Sequence, residues 1–166
     1  MTTGTVPEAP PMPEDARFLA AAEMVLAAPT PTTAGRIEGV YGRMLIDLRS
    51  LAAWASGPTK MWKAFAASDL ARLGRAALRG VYLFRAVCRE AAPTAADLAE
   101  WAGGRERVEA LDDAVGCIDL DLRDLAREID LADTIRTKVC LERLVGLAVR
   151  ALADLDLVPK GKGGRA

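Results

Sequence analysis

The chain has 166 residues, enough for one domain with a substantial hydrophobic core. Hydrophobic residues make up 51% and charged residues 27%, a balance that excludes an intrinsically disordered chain. Aromatic residues are only 5%, whereas alanine, the strongest helix former, is frequent, so the composition predicts an all-α protein. Because no stretch of 18 uncharged apolar residues is present, we predict that no helix spans a membrane.

Several chemistries are excluded by the residues that the sequence lacks. It has no histidine, so histidine bases, catalytic triads and histidine metal ligands are ruled out. Its three cysteines, Cys88, Cys117 and Cys140, are scattered and odd in number, which argues against a disulfide framework and a zinc site. A signal peptide would begin with a basic segment, but the first positively charged side chain of this sequence is Arg17. We therefore predict no signal peptide. We therefore predict a cytoplasmic protein with buried, reduced thiols and no cofactor.

Both ends of the sequence are predicted to be disordered. Residues 1–13 contain four prolines and no hydrophobic period, and residues 159–166 are basic and rich in glycine. The segment between them, residues 14–158, is predicted to form a single helical domain, a bundle of about five or six helices.

The first two helices are predicted from apolar residues that recur at helical spacing. The first covers residues 14–28 and is ended by the prolines that follow. The second begins after a cap at Thr32 or Thr33 and ends at Ser56, before a Gly-Pro pair.

Three glycines in the first half of the second helix have two interpretations. Each of Gly35, Gly39 and Gly42 costs the helix up to about 1 kcal/mol relative to alanine. We favour close packing against another helix, since the three lie near one face. The alternative is a hinge, or a point where a ligand approaches the backbone.

An arginine-rich helix is predicted over residues 68–91. Ser68 would cap it, with Asp69 in its first turn, and Pro93 would end it. Residues 59–67 would form a short helix or turn before it. Its arginines spread over the arc opposite the apolar face, an arrangement that suits contact with nucleic-acid phosphates or with a protein partner. This arginine arc consists of Arg72, Arg75, Arg79, Arg85 and Arg89.

Two further helices flank the most regular part of the sequence. Thr94 and Asp97 resemble a capping box, which opens a short helix that stops at Gly103. The final helix is predicted over residues 134–157. The junction at 130–135 has neither glycine nor proline, so an alternative is that the last two helices form one continuous rod.

The strongest pattern is a heptad seam within residues 105–132. Apolar residues alternate there at spacings of three and four, which predicts an amphipathic helix, roughly 42 Å long, that the other helices cover. Leu120 and Leu131 lie almost opposite the seam, so either another helix buries them or they form an exposed patch that contacts a partner. The seam consists of Val108, Leu111, Val115, Ile118, Leu122, Leu125, Ile129 and Ala132.

The overall net charge of −1 conceals strong segregation. Residues 58–92 carry seven basic and two acidic groups, a net charge of +5, whereas residues 93–133 carry four and twelve, a net charge of −8. We predict that the arginine-rich helix pairs with the acidic flanks of the seam helix inside the bundle. The alternative is that the arginines form a binding surface. The acidic flanks also argue against the seam as a parallel dimer interface.

No catalytic or metal-binding motif is complete. The sequence contains neither a P-loop nor a dinucleotide-binding glycine pattern. Asp112 and Asp113 lack the third acid of a diphosphate-binding motif, and Arg123 occupies a ligand position in the calcium-loop-like run that starts at Asp119. Residues 97–111 have helix-turn-helix character, but their acidic side chains would face DNA phosphates.

These patterns predict a non-enzymatic adaptor or assembly protein that binds a protein partner or a second copy of itself. Leu120 and Leu131 would contribute to the contact. The alternative is an accessory factor of a phage, plasmid or chromosomal system that binds nucleic acid through residues 68–91.

Overall fold

The computed structural model describes residues 14–32, 35–57, 62–88 and 90–159, with only the backbone for residues 14, 15 and 85–88. Within these ranges the protein is all-α, with no strand, and the predicted fold class is confirmed. The predicted leader over residues 1–13 and the tail beyond Pro159 lie outside the described residues. The helices are α1 (Glu14–Ala27), α2 (Ile37–Ser56), α3 (Trp62–Cys88), α4 (Ala95–Gly103), α5 (Leu111–Asp130) and α6 (Thr134–Asp154).

The helix ends that depend on local sequence agree best with prediction. The capping box of α4 forms, because the Thr94 Oγ1 accepts from the Asp97 N–H at 3.3 Å and the Asp97 Oδ2 accepts from the Thr94 N–H at 2.9 Å. α2 ends at Ser56 as predicted, but it starts at Ile37 after an uncapped Arg36, and neither of the proposed cap threonines adjoins it.

α6 is the centre of the bundle. It packs against α1, α3, α4 and α5, and every residue from Leu144 to Ala153 is buried. α2 covers α3 and α5, and α1 covers α3 and α4. The fold is therefore organised around α6. The heptad pattern had predicted the seam helix in this role, and that prediction is wrong.

The seam faces the core, but its helix is shorter than predicted. α5 has 20 residues and is about 30 Å long, because residues 105–110 are not helical. Ala132, at the other end, is exposed in the turn after α5. The seam residues that are buried are Val108, Leu111, Ile118, Leu122 and Leu125, with Val115 and Ile129 half-buried.

Hydrogen bonds from α6 explain why α5 starts late. The Val108 N–H donates to the Asp154 Oδ2 at 2.8 Å, and Arg150 donates through NH1 to the Arg105 carbonyl at 3.0 Å. Arg150 also donates through Nε to Asp154 at 2.8 Å, so one buried ion pair binds both points of the α4–α5 connection. The backbone groups that would extend α5 towards its N-terminus are thus bound to α6 instead.

A tight turn separates α5 from α6, so two separate helices are confirmed and the alternative of one continuous rod is wrong. Ala132 has a φ of 56°, and the Asp133 N–H donates to the Glu128 carbonyl at 3.1 Å. This is the Schellman arrangement, here built without the usual glycine. The Asp133 carboxylate then caps α6 by accepting from the Arg136 N–H at 2.9 Å. The two helices pack together as a hairpin.

A single helix, α3, replaces the two elements predicted over residues 59–67 and 68–91. Ser68 lies inside this helix and is not its cap. Asp69 is buried and accepts hydrogen bonds from the Ser50 hydroxyl and from the Trp54 Nε1–H at 3.1 Å, both on α2. A residue that resembled part of a helix start therefore serves as a contact between two helices.

The tightest helix packing at a glycine is found at Gly146, outside the three glycines of the prediction. A Cβ atom added to Gly35 or Gly42 would have no atom of a neighbouring element within 4 Å, so close packing does not explain these two. On Gly146, in contrast, a Cβ would lie 2.6 Å from the carbonyl oxygen of Trp101. The backbone of α6 meets the backbone of α4 at this point, and any larger residue would force the helices apart.

We expect Gly146→Ala to destabilise the protein by about 1–3 kcal/mol, because the added methyl group meets backbone atoms that cannot rotate away. Gly42→Ala is the matched control, and it should raise stability by up to about 1 kcal/mol through helix propensity alone. Urea denaturation of both variants measures the difference. A Gly146→Ala protein as stable as the wild type would show that the two helices are not so close.

Leu122→Ala should cost about 2–5 kcal/mol, because Leu122 is fully buried in the core. Leu120, two residues away on the same helix, is exposed, and Leu120→Ala should change stability by no more than about 0.5 kcal/mol. Chemical denaturation again gives both values, and similar losses from the two variants would contradict the orientation of α5.

Candidate interaction surface

Four large apolar side chains are exposed on the α5–α6 hairpin. Leu120 is 63% exposed, Leu131 67%, Ile135 76% and Val139 47%, and we call these four residues the apolar strip. Leu120 on α5 and Leu131, the residue that caps its end, lie three helical turns apart on one side, and Ile135 and Val139 lie one turn apart on α6. Of the two predicted alternatives for Leu120 and Leu131, exposure is therefore the correct one.

Sequence reasoning missed Ile135 and Val139. The core-facing residues of α6 include Thr137, Leu141 and Leu144, and the two missed residues lie off that face. Their signal was nevertheless present, as an apolar pair four residues apart that does not continue the buried stripe.

Two shallow depressions adjoin the apolar strip on either side of Arg143. One, of about 450 Å³, includes Leu120 in its lining, and the other, of about 280 Å³, includes Val139 and Trp101. Arg105 and Arg143 line both depressions. The surface is therefore continuous from α5 across α6 to the end of α4.

Charges beside the apolar strip are balanced by pairs within each helix or turn. Exposed pairs of this kind contribute only about 0–1 kcal/mol each, but each places a basic group beside an acidic one. The pairs are Arg123–Asp119 at 3.1 Å, Arg127–Asp124 at 3.2 Å and Arg136–Asp133 at 3.9 Å.

A buried ion pair lies beneath the larger depression. The Arg105 NH2 is 2.9 Å from the Asp121 Oδ2, and both side chains are about nine-tenths buried. The N–H group is not aligned with the carboxylate oxygen, so the contact is electrostatic and the oxygen lacks a well-formed hydrogen bond. Burial raises the pKa of Asp121, and the positive charge of Arg105 offsets this only in part.

The described thiols are unsuited to nucleophilic chemistry. Burial, followed by the charge of Asp113, raises the pKa of Cys117, and burial, followed by the charge of Glu128, raises that of Cys140. Both thiols are therefore protonated at neutral pH. Both are free, and both are half-buried, whereas the sequence had predicted buried thiols. The Cys88 side chain lies outside the described atoms.

The helix that carries the arginine arc does not pack against the seam helix. Among the described residues, α3 packs against α1, α2 and α6 but not against α5. The predicted pairing with the acidic flanks of α5 is therefore wrong for Arg72 and Arg75, whose contacts lie elsewhere. The physical reason is that α6 lies between the two helices and contacts both of them.

Arginines of the arc make contacts close to α3 itself. The Arg72 NH2 lies 2.7 Å from the Asp69 Oδ1, one turn earlier on the same helix. The Arg75 Nε donates to the Thr30 hydroxyl at 3.1 Å, and its guanidinium lies 5.8 Å from the centre of the Tyr82 ring. Arg79 is half-buried, and the side chains of Arg85 and Arg89 are outside the described atoms.

Within the described ranges, no three potential ligand side chains come together as a metal site would require. Each helix that the structure describes is also too short or too polar to cross a bilayer. No protein-family model, curated protein or solved structure matches this chain.

We expect the Asp121 carboxylate to make stability fall as pH rises. Its pKa is raised in the folded state, so the folded protein retains a proton that the unfolded chain releases, and this advantage is lost as pH increases through the raised pKa. Comparing the wild type with Asp121→Asn by denaturation from acid to neutral pH tests the sign. A wild-type stability that rises relative to the variant over that interval would contradict it.

Proposed function

We propose that this protein is a non-enzymatic assembly protein that associates with a second copy of itself through the apolar strip. The observation that carries the proposal is the exposure of four large apolar side chains on one hairpin, with Ile135 exposed to 76%. Scattered exposed apolar residues are normal, whereas a group on one surface favours an interface.

The hydrophobic effect supplies the driving force for this association. Removal of apolar surface from water contributes about 25 cal/mol for each Å², and Ile135, Val139 and Leu131 have most or about half of their surface still to bury. The depressions beside Arg143 give the surface a shape into which side chains of the second copy fit.

The charge pattern favours a second copy over a strongly charged partner. A two-fold interface places the same surface on both sides, so an excess of one sign would repel. The pairs Arg123–Asp119, Arg127–Asp124 and Arg136–Asp133 keep both signs beside the apolar strip. The acidic flanks argue against a parallel dimer that forms through the seam. That argument does not apply to the apolar strip, because the seam itself is buried against the bundle.

The double variant Ile135→Glu, Val139→Glu should convert a dimer into a monomer, because it places four charges in the two-fold interface. Ile46→Glu is the matched control, since Ile46 is 54% exposed on α2 and does not belong to the apolar strip. Sedimentation velocity over a wide range of protein concentration measures the mass. Circular dichroism should show all three proteins equally helical, because the substituted side chains are exposed.

A wild-type protein that stays monomeric at high concentration would contradict the proposal, and so would equal dissociation of both variants. The alternative function, a nucleic-acid accessory factor that uses the arginine arc, makes a different prediction. A monomer that retains mixed-sequence duplex DNA, with affinity that falls steeply with salt, would favour that alternative. The half-exposed Arg75 and Arg79, one turn apart, would then be the first phosphate contacts to replace by glutamine.

A further inference from the structure

A cavity of about 530 Å³, open to solvent like the two depressions, lies at the end of the α5–α6 hairpin opposite its turn. The ends of α2 and α6 and the starts of α3 and α5 surround it, and its volume is within the range of small-molecule sites, about 300–1,000 Å³. It shares no lining residue with the depressions beside the apolar strip.

Two tryptophans form the aromatic part of its lining, Trp54 and Trp62. The Trp54 ring is held in place from two directions, because it stacks on Phe65 with 4.6 Å between ring centres and donates through Nε1 to the buried Asp69 at 3.1 Å. The Lys63 ammonium lies 5.9 Å from the centre of the Trp62 ring. A ring of this cavity therefore already has a cation near its face.

Acidic residues predominate among the described charged residues of the lining. Glu109, Asp112 and Asp156 are exposed carboxylates on the cavity, and Lys63 is the one basic residue in this described lining. Asp154 also lines the cavity, but it is neutralised by its buried pair with Arg150. The lining thus combines aromatic rings with an excess of negative charge.

The positive end of the α5 helix dipole adjoins the same cavity and opposes this charge. Its partial charge is about half an elementary charge, and Asp112 and Asp113 lie in the first turn of α5, where they offset it. The Asp113 carboxylate also accepts from the Glu109 N–H at 3.0 Å. The carboxylates of Glu109 and Asp156 therefore still leave the cavity negative.

We propose that this cavity binds a small organic cation, a quaternary ammonium or a protonated alkylamine. Such a cation is attracted by the faces of tryptophan rings and by carboxylates, and its methyl or methylene groups gain from the apolar surface. An anion would be repelled by the carboxylates of Glu109 and Asp156. An inorganic cation would gain nothing from the rings, because it prefers a shell of oxygen ligands.

Choline and its neutral carbon isostere, dimethylbutanol, provide the direct test because they have the same shape and differ in charge. We expect saturable binding of choline, seen as a change in tryptophan fluorescence and in the indole N–H signals of Trp54 and Trp62 by NMR. The isostere should bind about tenfold more weakly, and sodium chloride at equal ionic strength should give no such change.

Two variants locate the binding within the protein. Trp62→Leu should remove the aromatic face, and Asp156→Asn should remove one carboxylate at an exposed position without harm to folding, so each should weaken choline binding several-fold. Asp130→Asn, an exposed acid at the other end of α5, is the matched control and should bind as the wild type does.

The proposal is overturned if choline and its isostere bind equally, which would show an apolar pocket without charge selectivity. It is also overturned if choline gives no saturable change, or if Asp130→Asn weakens binding as much as Asp156→Asn. None of these outcomes depends on whether the protein self-associates through the apolar strip.

Discussion

The close approach of α6 to its neighbours is the constraint on which the rest of the structure depends. Gly146 lets α6 reach the backbone of α4 at Trp101, and a Cβ on Gly74 of α3 would lie only 3.0 Å from the Ala148 Cβ. Dispersion between packed atoms is weak for each pair but large over residues 144–153 of α6, all of which are buried. Small residues at these points therefore determine how tightly four helices surround α6.

The parts of the fold that follow from neighbouring residues were predictable from the sequence. The α4 capping box needs only Thr94 and Asp97, and the buried side of α5 needs only the seam spacing. The late start of α5 was not predictable in this way, because the Asp154 carboxylate that binds Val108 is 46 residues further along the chain. Asp69 was misinterpreted for the same reason, since its partners on α2 are distant in sequence.

The candidate sites also differ in whether residues close in sequence or distant in sequence form them. Leu120 and Leu131 could be identified because they lie opposite a regular seam, and their exposure could be stated as one of two alternatives. The cavity beside Trp54 could not be anticipated, because four helix ends supply its lining and no motif connects them. The arginine arc was predicted as a group, but the structure was needed to show that Arg72 and Arg75 make their contacts away from α5.

The ion pair of Arg150 and Asp154 has a consequence for the order in which the chain folds. Its hydrogen bonds determine the path of the backbone at Arg105 and Val108, and through Arg105 the position of the guanidinium beside Asp121. The ribosome makes α1 to α5 before it makes these two residues, so a nascent chain that ends before them lacks the last turns of the central helix and the partners of its α4–α5 connection. The earlier helices are thus expected to reach their final packing only after α6 has been made in full.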